Sequence, residues 1–146
     1  MKGILCVGIV AGALTACGTS PVLISEATVV PAERIFIQTP HAEKGWPKIT
    51  VVRDSGFRAS GCDFGFYLDG KVAAHLAVAE RVSFYVAPGE HILGAASVGR
   101  GLCALDGDQR REIATSLVSG DSKVYRISFR SEGGIAIEPT TMLQSR

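Results

Sequence analysis

The sequence has almost no net charge: 15 Lys and Arg stand against 14 Asp and Glu, for a formal +1 at pH 7. That balance excludes the basic footprint with which a protein holds nucleic acid. Also missing is any apolar run of the roughly 20 residues that a membrane-spanning helix needs. No amphipathic stripe of three helical turns occurs, which argues against a helical domain. Among catalytic signatures there is no Gly-x-Ser-x-Gly elbow. The closest approach, Ala95-Ala96-Ser97-Val98-Gly99, lacks the first glycine that the sharp turn requires. With 146 residues the chain has room for one compact domain and not for two. Its 47% apolar content provides a core, and its 20% charged content is that of a folded protein rather than a disordered tail.

What is present begins with an address. Met1 and Lys2 form a short positive start, and Gly3 to Ala13 is an apolar run. Its length of about eleven residues suits the core of a secretory leader and is too short to span a bilayer. The run closes on Leu14, Thr15, Ala16 and Cys17. This branched, small, small, cysteine sequence resembles the lipobox of bacterial lipoprotein precursors. The resemblance implies that residues 1–16 are a cleaved signal peptide and that Cys17 carries a diacylglycerol on its sulfur, with its freed amine acylated in many bacteria. Several acyl chains hold a protein far more firmly than one, at about 0.8 kcal/mol per buried CH₂. Gly18 stands where an aspartate would favour inner-membrane retention, so the implied location is the periplasmic face of the outer membrane. The competing reading is an ordinary secretory leader with a chance cysteine near its cleavage site.

Residues 17–31 open with Gly18, Thr19, Ser20 and Pro21, which are small and turn-prone, and they show no period. They read as a lipidated N-terminus and flexible tether, with Ser25 to Val30 a candidate first strand. Residues 32–146 read as a single domain built of short β-favouring runs: Ile35 to Gln38, Lys48 to Arg53, Asp63 to Leu68, Val72 to Val78, Arg81 to Ala87, His91 to Ser97, Glu112 to Ser119, Val124 to Arg130 and Ile135 to Glu138. Turn pairs such as Asp69-Gly70, Pro88-Gly89 and Gly133-Gly134 separate them. Strands spaced near ten residues predict an all-β fold, an antiparallel β-sandwich of roughly seven to nine strands. In Val124 to Arg130 the alternation is strict, setting Tyr125, Ile127 and Phe129 against a wet face of Val124, Arg126, Ser128 and Arg130. The Asp69-Gly70 hairpin admits two registers. A two-residue turn pairs Leu68 with Lys71, whereas a three-residue loop pairs Leu68 with Val72. Burial favours the second, because it puts Phe64, Phe66, Leu68, Val72 and Leu76 on one face and Tyr67, Ala73 and His75 on the other.

Phe66-Tyr67-Leu68-Asp69-Gly70-Lys71, followed after a gap by Ser83-Phe84-Tyr85-Val86-Ala87-Pro88-Gly89-Glu90-His91, is similar to the PEGA-like β-modules of bacterial envelope lipoproteins. The likeness spans a minor part of the chain. It implies a small periplasmic all-β domain and no catalytic activity.

The four cysteines fit that address. Cys6 leaves with the leader and Cys17 goes to lipid, so Cys62 and Cys103 remain as one pair for an oxidising compartment. The alternative, a metal held with His75 or His91, lacks close spacing and a complete ligand set, and no metal or cofactor is expected. His41, His75 and His91 each fit a surface or structural role. Gly99-Arg100-Gly101-Leu102-Cys103-Ala104 matches a loose dinucleotide pattern without the helix it requires, and Asp106-Gly107-Asp108 lacks the other ligands of a calcium loop.

Two arginine-bearing stretches are the candidate partner-binding loops. One holds Arg53, Phe57 and Arg58; the other is the long connection from Val98 to Arg111, with Arg100, Arg110 and Arg111. The expected function is a non-catalytic binding or scaffolding lipoprotein, membrane-anchored through its lipid, with an envelope protein as partner and no nucleic acid. Two alternatives stand beside it. One is a structural or stress-related lipoprotein without a specific ligand. The other is a periplasmic small-ligand binder or hydrolase that uses Tyr67, His75 and Tyr85 on one sheet face.

Overall fold

A computed structural model describes residues 19–37, 45–57, 59–104, 109–130 and 134–143. They form nine strands: β1 (Thr28–Val29), β2 (Lys48–Arg53), β3 (Asp63–Leu68), β4 (Lys71–Leu76), β5 (Glu80–Tyr85), β6 (Gly89–Val98), β7 (Arg111–Leu117), β8 (Ser122–Arg130) and β9 (Gly134–Pro139). One sheet runs β1-β5-β2-β8-β9 and the other β4-β3-β6-β7, packed face to face as the expected all-β sandwich. The five-stranded sheet is mixed, since β2 lies parallel to β8 and β1 parallel to β5. No helix of the described residues is long and apolar enough to cross a membrane.

Between the sheets the core is apolar. Ile49 and Val51 of β2, Phe84 of β5, and Tyr125 and Ile127 of β8 meet Phe64 and Phe66 of β3 and Leu93 and Ala95 of β6. Phe66 and Phe84 stack across the sandwich with ring centroids 5.9 Å apart. Tyr125 sends its hydroxyl to Thr115 Oγ1 at 2.6 Å, so the one phenol in the core has its polar tip satisfied.

The β3–β4 hairpin resolves the register conflict in an unexpected way. Leu68 pairs with Lys71 across the two-residue Asp69-Gly70 turn, so the three-residue loop is not formed. Both turn residues have positive φ, 50° and 77°, as a type I′ turn requires. The register then shifts between Phe66 and Tyr67: Tyr67 pairs with Val72 but Phe66 with Ala74, which leaves Ala73 as the extra residue of a β-bulge. Turn chemistry wins at the tip and burial wins three residues later. Phe64, Phe66 and Leu76 reach the core as expected, but Ala73 joins them instead of facing outward.

Three further expectations change. The run Ile35 to Gln38 is not a strand. Ile35 forms a single bridge to Ala74 and the Phe36 N–H donates to the Ala73 carbonyl, covering the outer edge of β4, while Gln38 lies outside the described residues. The outward face of β8 is not wet, because Val124 and Ser128 are both buried. Nor is the N-terminal stretch a tether from Thr19 onward. Residues 19–27 lie across the outside of the five-stranded sheet, where Val22 and Ala27 pack with Val52, Val124 and Leu143 in a second apolar cluster, and Thr28–Val29 within the expected first strand then pair at its edge with β5. Backbone bonds join Ser20 to Ser55 in both directions, and the Val30 N–H donates to the Arg81 carbonyl. Local sequence could not disclose this strap, because its apolar residues follow the contour of the sheet and not a helical or strand period.

The end of β2 is held by a buried cation. Arg53 is only 2% exposed. Its guanidinium donates to the carbonyls of Cys62 at 2.6 Å, Leu76 at 2.7 Å and Ala59 at 2.8 Å, and it sits 3.7 Å above the Phe64 ring. Burial pushes its pKa down to about 10, against the pull of Asp63 and Glu80, so it stays charged at neutral pH. Replacing Arg53 with alanine strands three carbonyls and opens a void. We expect Arg53→Ala to cost about 3 kcal/mol or more, read as a lower midpoint in denaturant unfolding.

Candidate functional site

The sandwich has two ends with different chemistry. At one, β2, β6 and β8 finish and β3 begins, and both arginine-bearing stretches singled out in the sequence converge there. Arg53 belongs to this end but not to its surface, since its bonds tie Ala59 and Cys62 back to the last residue of β4. It is therefore a brace and not a partner-binding side chain. Asp54, next along the chain, faces the opposite way and is also 2% exposed. Its carboxylate accepts a two-pronged fork from Arg126, with Nε at 2.7 Å and Nη2 at 2.6 Å, and a third bond from Thr19 Oγ1 at 2.7 Å. The fork with Asp54 raises the Arg126 pKa against the cost of burial. Thr19 Oγ1 also accepts the Phe129 N–H at 3.0 Å, so one threonine pins the start of the strap to two strands.

Beyond this buried pair the loop emerges. Phe57 is 95% exposed, and Arg58 lies outside the described residues. The loop returns through Ser60, whose N–H donates to the Phe57 carbonyl, and through Cys62, which is bonded to Cys103 with Cα atoms 5.4 Å apart. The disulfide foreseen from the cysteine count thus staples the Phe57 loop to the turn after β6, where Gly101–Ala104 forms one turn of 3₁₀ helix. Leu102 in that turn is 83% exposed, and Arg100 beside it is exposed. The glycine pattern of residues 99–104 leads into this single 3₁₀ turn, not into a helix among the described residues; Asp106, Gly107 and Asp108 lie outside them.

Arg110 and Arg111 part company. Arg111 is exposed at the start of β7. Arg110 folds down onto the outer face of the four-stranded sheet, its guanidinium 3.9 Å from the centre of the Tyr67 ring. Glycines make this close packing possible. A Cβ on Gly65 would stand 3.0 Å from the Tyr67 ring and one on Gly94 3.0 Å from the Arg110 stem. Arg110 thus covers Tyr67, with its side chain still partly exposed.

The trio Tyr67, His75 and Tyr85 does not assemble. Tyr67 lies under Arg110, His75 packs edge-on against Phe36 at 4.6 Å, and Tyr85 belongs to the other sheet. His41 lies outside the described residues. Among those described, no cluster of three or more His, Cys, Asp or Glu could hold a metal ion.

No protein-family model matches this chain, and neither does any curated protein.

The opposite end carries the remaining histidine chemistry. His91 Nδ1 meets Asp69 Oδ2 at 2.8 Å and Nε2 meets the Ala87 carbonyl at 2.8 Å. Asp69 also accepts the Ile92 N–H at 2.9 Å. An aspartate–histidine pair suggests acid–base work, yet a general base needs a free nitrogen and here both ring nitrogens face acceptors. The arrangement suits the doubly protonated ring and clamps the β3–β4 turn to the β5–β6 turn. Burial lowers the His91 pKa, but the bonds to Asp69 and Ala87 and the charges of Asp69 and Glu90 outweigh it and raise the value above 6.5. Burial likewise raises Asp69, and the Ile92 N–H and His91 outweigh it to bring the carboxyl below 3.8.

Two outcomes follow. The His91 contribution is complete below pH 6.5 and is lost as pH rises through the raised value, so unfolding free energy should decline above pH 6.5 in the wild type and stay flat there in His91→Gln. Reduction of Cys62–Cys103, which closes 41 residues of sequence, should lower stability by about 4 kcal/mol in the chain-entropy estimate, measured by denaturant unfolding with and without reductant.

Proposed function

We propose that this protein is a lipoprotein of the outer membrane, facing the periplasm, that works as a non-catalytic binding or scaffolding module in the cell envelope. The observation that carries this reading is the Cys62–Cys103 bond. A stable disulfide calls for an oxidising compartment, and the leader-like residues 1–16 ending at the lipobox cysteine supply a route to one. The likeness of the β3–β4 hairpin and the β5–β6 connection to PEGA-like modules in sequence agrees with it.

The chemistry of the domain supports adhesion over turnover. Its buried charges, Arg53, Asp54 and Glu80, are all hydrogen-bonded within the fold, and the His91–Asp69 pair leaves no nitrogen free to move a proton. Among the exposed groups at the disulfide-bearing end, Phe57, Leu102, Arg100 and Arg111 are suited to contact. Lipid confinement raises the encounter rate of a weak surface with its partner without any new contact.

The test begins with the mature N-terminus. Mass spectrometry should find Cys17 as the first residue with acyl mass on it, and the protein should enter the detergent-rich phase of a detergent phase separation. Cys17→Ser should move it almost wholly into the aqueous phase. A bare sulfur on a protein already in the aqueous phase overturns the anchor. Cross-linking of the anchored and soluble forms then addresses the partner. One envelope protein recovered at constant stoichiometry from both supports scaffolding, and none from either overturns it.

A further inference from the structure

We infer that the end of the sandwich bearing Phe57 and Leu102 rests directly on the lipid surface, with these two side chains inserted into it. The inference deepens the anchor reading and depends on it.

The constraint is one of length. Thr19 is fixed to the fold: its hydroxyl is bonded to Asp54 and its backbone N–H donates to the Phe129 carbonyl. Cys17 is two residues earlier, a distance of about 7 Å at full extension. A lipid on Cys17 therefore cannot hold the domain away from the bilayer, as a tether of 15 residues would. The end of the domain at which Thr19 is fixed must lie at headgroup depth.

That end has the surface such a position calls for. Thr19 sits against Gly56, with its Cα 3.3 Å from where a Gly56 Cβ would be, and Phe57 is the next residue. Phe57 and Leu102 are the most exposed of the described large apolar side chains, at 95% and 83%. They stand on loops joined by the Cys62–Cys103 disulfide, and Arg53 braces the first of these loops from within. Disulfide-joined loops presenting an aromatic and a leucine, with Arg100 exposed beside them, match an interface of acyl chains below and anionic headgroups around. Met142 at 76% and Val118 at 61% come next in exposure, but neither stands on a loop bound to the Thr19 end by the Cys62–Cys103 bond.

Trp46 provides a built-in control. It is the only tryptophan, and it lies at the far end of β2, beside the β7–β8 turn, where Gly45 accepts a bond from Gly120. The experiment uses the mature lipidated protein in phospholipid vesicles with brominated acyl chains, and compares wild type with Phe57→Trp and Leu102→Trp, each made in a Trp46→Phe background. Both positions are exposed, so the fold should tolerate either change, and far-ultraviolet circular dichroism checks this. Emission from both introduced tryptophans should shift to the blue and lose most of its intensity to the bromines, while wild-type Trp46 emission stays unchanged. Acyl mass on Cys17 with unquenched emission at both positions overturns this inference alone and assigns the pair to a protein contact. Absence of acyl mass overturns the anchor and this inference together. Quenching of Trp46 equal to that of the introduced residues also overturns it, since the domain would then lie on its side.

Discussion

Arg53 and Asp54, adjacent and both buried, hold this fold together at the end that bears the Phe57 loop. Because successive residues of a strand face opposite ways, the last residue of β2 and the one after it serve different layers. Arg53 enters the space between the sheets and gathers the carbonyls of Ala59, Cys62 and Leu76. Asp54 turns outward, takes the fork of Arg126 and anchors Thr19. Burying a charge is costly unless it is paired and hydrogen-bonded, and both groups meet that condition almost completely. The geometry of the Phe57 loop and the attachment of the N-terminal strap thus have a common origin in two neighbouring side chains. Each could be taken, on composition alone, for a solvated loop residue.

The strap changes the meaning of the N-terminus. A free tether would let the domain sample tens of ångströms above a membrane. A strap packed from Thr19 onward, with Val22 and Ala27 buried, transfers the position of the preceding cysteine to the whole sandwich. On the proposed anchor, orientation follows from the fold, because the end near Ser55 and Gly56 is the one joined to Thr19. The His91–Asp69 clamp lies at the opposite end of the sandwich.

Much was legible before any coordinates. The limits of Lys48–Arg53 and Asp63–Leu68 agree with the sequence reading residue for residue, and the inward set Tyr125, Ile127 and Phe129 follows from plain alternation. The Cys62–Cys103 pair followed from elimination. The candidate surface was half legible. Phe57, Arg100 and Arg111 are exposed as expected, whereas Arg53 is a buried brace and Arg110 a cover for Tyr67. Leu102 was missed, although its place beside Cys103 in a glycine-flanked loop offered a signal.

The sequence by itself determined most of the strands, the site of the Asp69-Gly70 turn though not its register, and the cysteine pair. Each of these depends on properties that act over a few residues, namely positive φ at Asp69-Gly70, two-residue alternation, or the count of thiols. Only the tertiary structure decided that Ala73 bulges inward, that the outer face of β8 is covered, and that Thr19 is pinned to Phe129 across 110 residues of sequence. Those outcomes rest on which distant surfaces meet, and a local pattern carries no record of what will lie on top of it.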